Sequence, residues 1–177
     1  MPNTKPIGVA FSDPELTSGT TVTGATIASS TLDATSKVLS DIASGISISQ
    51  QGATIATTGN SDVYMIAPAA GVLSSAVFSG VDALTASDSN YITYTIVNLG
   101  QAGAGSAAML AATDVNTTKA TGGTGLAANT VRSLTLNGTA ANLVVAAGDR
   151  LRIRAAATGT LANTVTFPVY RLNFTVA

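Results

Sequence analysis

The chain of 177 residues contains no cysteine and no histidine. Without cysteine it has neither a disulfide nor a thiol nucleophile, and without both residues it lacks the usual ligands of zinc. Histidine is also the commonest general base near neutral pH, so its absence excludes the usual catalytic triads of serine and cysteine enzymes. We therefore expect no enzymatic activity, no metal and no cofactor.

Charge is scarce as well. Eight basic and nine acidic residues give a net charge of -1, and only 10% of the residues are charged. Such a chain lacks the positive field on which nucleic-acid binding depends, so we expect no nucleic-acid partner. No apolar run approaches the roughly 20 residues that span a bilayer, and Met1–Lys5 lacks a signal-peptide core. These features favour assembly in a cytoplasm, without a membrane.

Tryptophan is absent and aromatic residues make up only 5% of the chain, yet 46% of the residues are hydrophobic. The mean hydropathy is +0.40, which is high for a domain surrounded by water. Much of this comes from alanine. The remainder indicates a surface that copies of the chain or a partner cover, so we expect a stable oligomer.

Residues 1–60 are poor in large side chains and rich in Ser, Thr, Gly and Ala, which predicts an extended N-terminal arm. Leu32–Ile42 is the only credible helix, with Asp33 as a cap, and an extended conformation is the alternative. The alternation in Ile46–Ser49, followed by a turn and Ala53–Thr57, predicts a small hairpin.

Residues 61–177 have a different texture, in which short β-branched and apolar runs alternate with turn sequences. Pro68 to Gly71 is one such turn, whose glycine would accept a positive φ. Many short strands without a helical period predict an all-β, antiparallel sandwich or barrel, with a jelly roll as the best single model. The predicted strands are Val63–Ala67, Val72–Ser79, Tyr91–Val97, Ala107–Leu110, Val131–Leu136, Leu143–Val145, Leu151–Arg154 and Val165–Val176.

The most distinctive charged feature is a row of arginines near the C-terminus. Arg150, Arg152 and Arg154 alternate with aliphatic residues, so a strand here places all three on one face. We expect this strand to form a hairpin with Leu143–Val145 through the turn at Gly148 and Asp149. The arginines are interpreted either as a solvated strand face or edge protection, or as a subunit interface that pairs with carboxylates. Arg132 and Arg171 are further candidates for the same surface.

Four carboxylates fall on predicted loops: Asp82, Asp88, Asp114 and Asp149. Hydrolysis would need two of them to converge, whereas aspartates at turns usually cap their own backbone, which is the favoured interpretation. Calcium binding at Asp88–Asn90 or Asp114–Asn116 is less favoured, because neither segment has the spacing of a dedicated site. The glycine-rich segments Gly100–Gly105 and Gly122–Gly125 lack the other residues of a phosphate loop.

Several of these segments resemble those of capsid decoration (cement) and head-fibre proteins of tailed bacteriophages. The resemblance is carried by Asp62–Pro68 with Gly71, by Tyr91–Gly105, and by Leu143–Arg154 followed by Thr164–Val169. Ile7–Pro14 looks like the opening of such virion proteins, in which an N-terminal part attaches to the shell.

The resemblance implies a structural virion protein: a homotrimer of jelly rolls on the outer surface of the capsid, bound to the major capsid protein. The residues expected to bind the capsid are Ile7, Val9, Phe11, Asp13 and Glu15. The residues expected at the subunit interface are Arg150, Arg152 and Arg154. The alternative is a fibre-tip or receptor-binding protein, in which the loops Gly80–Ser89 and Thr113–Gly125 recognise a host glycan.

Overall fold

A computed structural model describes residues 45–176 of the chain. This part has no α-helix and two short 3-10 turns, Asp114–Asn116 and Ala140–Leu143. None of its helical segments could cross a membrane. Its nine strands are β1 (Ile46–Gln51), β2 (Gly59–Ile66), β3 (Gly71–Ser79), β4 (Tyr91–Asn98), β5 (Ala107–Ala108), β6 (Arg132–Leu134), β7 (Val144–Val145), β8 (Arg150–Thr158) and β9 (Val169–Val176).

The strands form two antiparallel sheets. In the first sheet the order is β1-β9-β3-β6, with β7 also paired to β3, and in the second it is β2-β8-β4-β5. Four of the pairs are nested along the chain: β1 with β9, β2 with β8, β3 with β6 and β4 with β5. The pairs of β9 with β3 and of β8 with β4 join them into the two sheets. This is the pattern of a long hairpin rolled over into a jelly roll. The predicted all-β antiparallel fold is confirmed.

The core lies between the sheets, where β2, β4, β8 and β9 contribute every second side chain. In β8 these are Leu151, Ile153 and Ala155, all fully buried. At the centre, the ring of Phe78 lies 4.8 Å from that of Tyr94 and 5.3 Å from that of Tyr170, measured between ring centroids. One strand of the second sheet and two of the first thus meet at a tilted aromatic cluster.

The hairpin predicted for Ile46–Thr57 is wrong. β1 pairs with β9, from Ile46 opposite Phe174 to Gln51 opposite Val169, and Ile55 bridges to Val165. Gly52 is there for close packing, because a Cβ would lie 2.6 Å from a methyl of Val63. Residues 46–60 therefore belong to the sandwich and not to an arm.

The hairpin predicted between Leu143–Val145 and the arginine strand is also wrong. β7 pairs with β3, whereas β8 lies between β2 and β4 in the other sheet. The turn at Gly148 (φ 84°) carries the chain from one sheet to the other. Asp149 fixes this crossing, since its Oδ2 accepts hydrogen bonds from the Ala146 N–H (2.9 Å) and the Asn98 amide (2.8 Å).

Two further local predictions are corrected. The last strand begins at Val169 and not at Val165, because Phe167 adopts a φ of 48° that breaks the extended conformation before Pro168. Gly71 does not adopt a positive φ; a Cβ at this position would collide with the backbone carbonyl of Thr175 in β9. The predicted helix Leu32–Ile42 and the rest of the N-terminal arm before Gly45 lie outside the described residues.

Candidate interaction surface and adjoining groove

The outer face of the second sheet is centred on β8. Arg150, Arg152 and Arg154 alternate with the buried residues of that strand, as the sequence pattern predicted. Arg150 is exposed, whereas Arg152 and Arg154 are partly buried by neighbouring strands. Since β8 is a central strand, the arginines occupy the middle of a sheet face and do not protect an edge.

Arg154 has a partner within the chain. It lies directly opposite Asp62 of β2, and its Nε and Nη2 donate hydrogen bonds of 2.7 Å to the two carboxylate oxygens. These bonds lower the pKa of the Asp62 carboxyl below its ordinary value. Such a bidentate pair joins β2 to β8 and takes up much of the charge of Arg154.

Arg150 and Arg152 are arranged differently. The guanidinium of Arg150 lies 5.7 Å from the ring centroid of Tyr64, and the buried Nε of Arg152 has no hydrogen-bond partner among residues 45–176. Tyr64 and Ile66 of β2 are 50% and 57% exposed. Tyrosine and arginine are both enriched at protein interfaces. We call the surface formed by Tyr64, Ile66, Arg150 and Arg152 the arginine face.

A groove of about 430 Å³ adjoins the arginine face at Arg152. Tyr91, Thr93 and Thr95 of β4 form its floor, because the alternate residues of that strand are buried in the core. Residues 108–119 form the opposite wall. The volume is within the range of small-molecule sites.

The groove exists because the chain leaves the edge of β4 and returns to it. The N–H of Met109 donates to the Ile96 carbonyl (2.8 Å), and the N–H of Thr118 donates to the Ile92 carbonyl (2.9 Å). Between these two contacts the wall departs from the sheet and includes the 3-10 turn Asp114–Asn116. The result is an open trough beside the strand.

Two buried or partly buried polar side chains hold this wall in place. The amide of Asn116 donates to the carbonyls of Ala111 and Thr135 (both 2.9 Å) and accepts from the Thr135 N–H (2.8 Å). Arg132 donates to the carbonyls of Val115, Thr117 and Thr124, at 2.9, 2.6 and 2.7 Å. The wall is therefore fixed by hydrogen bonds before any ligand arrives.

Arg132 is thus not part of the arginine face, contrary to the sequence-based expectation. Its guanidinium lies 5.6 Å from the ring centroid of the core residue Tyr94. Arg171 is also elsewhere, since it is exposed on β9, in the first sheet.

A charged pair lies at the Tyr91 end of the groove. Lys119 Nζ is 2.9 Å from the Asp114 carboxylate and 4.9 Å from the centroid of the Tyr91 ring. This contact with Asp114 raises the pKa of Lys119. The charges of this pair balance, so the positive charge beside the threonine floor comes from Arg152 along β8.

The loop carboxylates mainly connect segments that are distant in sequence. Asp82 accepts from Thr166 and Asp88 accepts from Thr121, and these bonds lower the pKa of both carboxyls. Only Asp149 caps its own turn in the way that the sequence suggested. No group of three or more potential metal-ligating side chains occurs in residues 45–176.

A second exposed apolar feature lies in the segment that precedes β9. Phe167 is 62% exposed at its positive φ. The backbone is fastened on both sides: Thr166 donates its N–H and its hydroxyl to Asp82 (2.7 and 2.6 Å), and Pro168 accepts from the Gly52 N–H (2.8 Å). Val131 and Val169, also exposed, line one shallow depression on the first sheet.

The sequence pattern identified the arginines but missed what surrounds them. Asp62, Tyr64 and Ile66 have the same two-residue spacing as the arginines and lie opposite Arg154, Arg152 and Arg150. That shared spacing could have identified these three residues as neighbours of the arginines, but only if the pairing of β2 with β8 had been known. The expected capsid-binding residues Ile7, Val9, Phe11, Asp13 and Glu15 lie outside the described residues.

Comparisons of the chain with protein-family models, curated proteins and solved structures found no match.

Proposed function

We propose that this protein is a structural component of a virion that binds the outside of a bacteriophage capsid and stabilises it. The observation that carries the proposal is the arginine face. Tyr64 and Ile66 leave half or more of their surface exposed beside two arginines on a hydrogen-bonded sheet. This combination of apolar, aromatic and guanidinium groups is typical of surfaces that bind other proteins.

The use of the polar side chains supports a structural role. Each carboxylate between residues 45 and 176 bonds to another part of the same chain, as Asp62 does to β8 and Asp82 to the segment before Phe167. These groups fix loops on a rigid sandwich. A rigid platform suits a protein that adds binding free energy across several capsid subunits, because little ordering is needed when it binds.

In this proposal the body forms a homotrimer and the N-terminal segment grips the major capsid protein. The role of the N-terminal segment is based on the resemblance of Ile7–Pro14 to the opening of such virion proteins. The role of the body is based on its arginine face. Multivalent attachment through three arms would give strong overall binding from weak single contacts.

The decisive experiment compares purified heads with and without the protein by electron microscopy and by thermal release of DNA. We expect density on the outer surface and a higher release temperature when the protein is present. Tyr64→Ser with Ile66→Ser should abolish one of the body's contacts, in the trimer or with the capsid. The matched control is Val144→Ser, since Val144 is 54% exposed on β7 of the other sheet.

A second experiment tests the arm. Deleting residues 1–31 should leave the sandwich folded, because every strand pairing described above lies within residues 46–176. The truncated protein should no longer bind heads. Normal decoration of heads by this variant would contradict the assignment of the arm.

The groove favours a second candidate function, that of a receptor-binding protein which recognises a host glycan. Part of its wall comes from the segment 113–119 that the sequence assigned to such a role. The two functions differ in their partner: decoration requires binding to heads, whereas receptor binding requires binding to cell-surface saccharides.

A further inference from the structure

We propose that the groove between β4 and residues 108–119 binds an acidic saccharide, a sugar that carries a carboxylate. This proposal deepens the second candidate function and does not depend on capsid binding, because it concerns a different ligand, although Arg152 belongs to both the groove and the arginine face. It depends on three properties of the groove: its charge, its hydroxyl-bearing floor and its rigidity.

The carboxylate would be recognised at Arg152. This side chain lines the groove and has no salt-bridge partner among residues 45–176, whereas neighbouring Arg154 is bonded to Asp62 through its Nε and Nη2. A guanidinium pairs well with a planar carboxylate. An anionic group in the groove would therefore pair with the Arg152 guanidinium, for which the described part of the chain supplies no carboxylate.

The remaining groups suit the hydroxyls of a sugar ring. Thr93 and Thr95 are two residues apart on one strand, so their hydroxyls are about 7 Å apart along the floor. Asp114 at the far end accepts hydrogen bonds, and its charge is balanced by Lys119. The ligand would consequently lie with its carboxylate towards Arg152 and its hydroxyls towards Asp114.

The lining favours a saccharide over an acidic peptide. Peptide binding usually relies on a pocket for a large apolar anchor, and small threonine and alanine side chains supply seven of the fifteen residues that line the groove. The large exposed apolar side chains of the described residues lie outside it. The methyl groups of Ala108, Ala111 and Ala112 offer a small apolar surface for the C–H face of a sugar ring.

The wall needs little rearrangement to accept this ligand. Asn116 and Arg132 fix it through six hydrogen bonds to backbone groups. Because the wall is already ordered before the ligand binds, little conformational entropy is lost, and weak polar contacts can produce measurable binding.

The test is an NMR titration of the full chain with glucuronic acid, with glucose as the neutral counterpart and with inorganic phosphate as a simple anion. We expect glucuronic acid to bind with a Kd of about 1 mM, with shifts at the amides of Thr93, Thr95 and Lys119 and none at Phe167. Glucose should bind about tenfold more weakly, since it lacks the charge-assisted bonds.

Variants locate the interaction. Arg152→Gln should weaken glucuronic acid binding about tenfold and leave glucose binding unchanged. Thr95→Val preserves the shape of the side chain and should weaken binding of both sugars. Arg171→Gln, on the other sheet, is the control and should bind like the natural protein.

Three outcomes would overturn the proposal. They are no shifts in the groove with either sugar, equal affinity for glucuronic acid in the Arg152→Gln and natural proteins, or phosphate binding as tightly as glucuronic acid at the same amides. The last result would identify a simple anion site. None of these outcomes bears on capsid binding, which is measured with heads.

Discussion

At the scale of single residues, the pair of Asp62 and Arg154 makes the stability of the protein depend on pH. Because Arg154 lowers the pKa of Asp62 in the folded state, the stabilisation is present above the ordinary carboxyl pKa near 3.8. It is lost as the pH falls through the lower folded value. The arginine stays charged throughout this range.

We therefore expect Asp62→Asn to lower the free energy of unfolding by about 1 kcal/mol at pH 7, a modest value because both side chains are partly exposed. At a pH below the folded pKa the natural and variant proteins should be equally stable. Urea unfolding at both pH values measures this. A difference that persisted at low pH would show that the carboxylate charge is not responsible.

The buried tyrosines lead to a second prediction at this scale. The hydroxyls of Tyr94 and Tyr170 are buried without a hydrogen-bond partner in residues 45–176, and burial raises the pKa of both. An unpaired buried hydroxyl costs about 1–3 kcal/mol. Replacing either residue by Phe should therefore leave stability unchanged or raise it by about 1 kcal/mol.

Thermal unfolding of Tyr94→Phe and Tyr170→Phe checks this prediction. The comparison is Tyr94→Ala, which should cost about 3–5 kcal/mol because it also empties the aromatic cluster. If the Phe variants lost as much stability as Tyr94→Ala, the hydroxyls would have to be hydrogen-bonded in solution, for instance to water.

At the scale of strands, the sequence predicted which segments are extended more successfully than how they pair. The alternation in β8 determines which side chains are buried, because it reflects a local period of two. Pairing is set by distant contacts. β1 and β7 looked like parts of hairpins since their nearest neighbours in sequence were plausible partners, but their actual partners are β9 and β3, both in the first sheet.

The groove could not have been predicted in this way. Its floor belongs to β4 and its wall to an irregular segment whose course depends on Asn116 and Arg132, and the partners of Arg132 lie up to 17 residues away in sequence. The composition of this segment, rich in Thr and Gly, indicated only a loop. Its function as a wall results from hydrogen bonds to carbonyl groups, which leave no pattern in the sequence.

The pairing of β3 with β9 gives a prediction at the strand scale. A Cβ at Gly71 would collide with the Thr175 carbonyl, and a backbone group in a paired strand cannot move aside easily. Gly71→Ala should therefore lower stability by about 1–3 kcal/mol. Gly138→Ala is the control, because a Cβ there meets nothing within 4 Å and should change stability by less than about 0.5 kcal/mol. Urea unfolding distinguishes the two, and equal effects would contradict the close approach of β9.

At the scale of the whole molecule, charge is unevenly distributed along the chain. Residues 45–176 contain six of the eight basic side chains and five of the nine acidic ones. Two of the five carboxylates form ion pairs within the chain, with Lys119 and Arg154, and the others bond to neutral groups. The remaining four acidic residues, Asp13, Glu15, Asp33 and Asp41, precede the described body.

Association between copies, or between the protein and a shell, would therefore bring the arginine face against carboxylates from outside the sandwich. Such contacts at a solvated surface weaken as salt rises, because the Debye length falls from about 10 Å at 0.1 M to about 3 Å at 1 M. We expect the oligomer to dissociate more readily in about 1 M salt than in about 0.1 M salt, as measured by sedimentation equilibrium.

Two sets of variants test whether this salt dependence arises from the arginine face. Arg150→Gln combined with Arg152→Gln should weaken the oligomer at low salt and reduce its further response to salt, since the charges that salt screens are already absent. Arg171→Gln removes an exposed charge from the other sheet and should behave like the natural protein. A chain that remained monomeric at low salt, or that responded equally to both sets of substitutions, would rule out the arginine face as the surface that holds the assembly together.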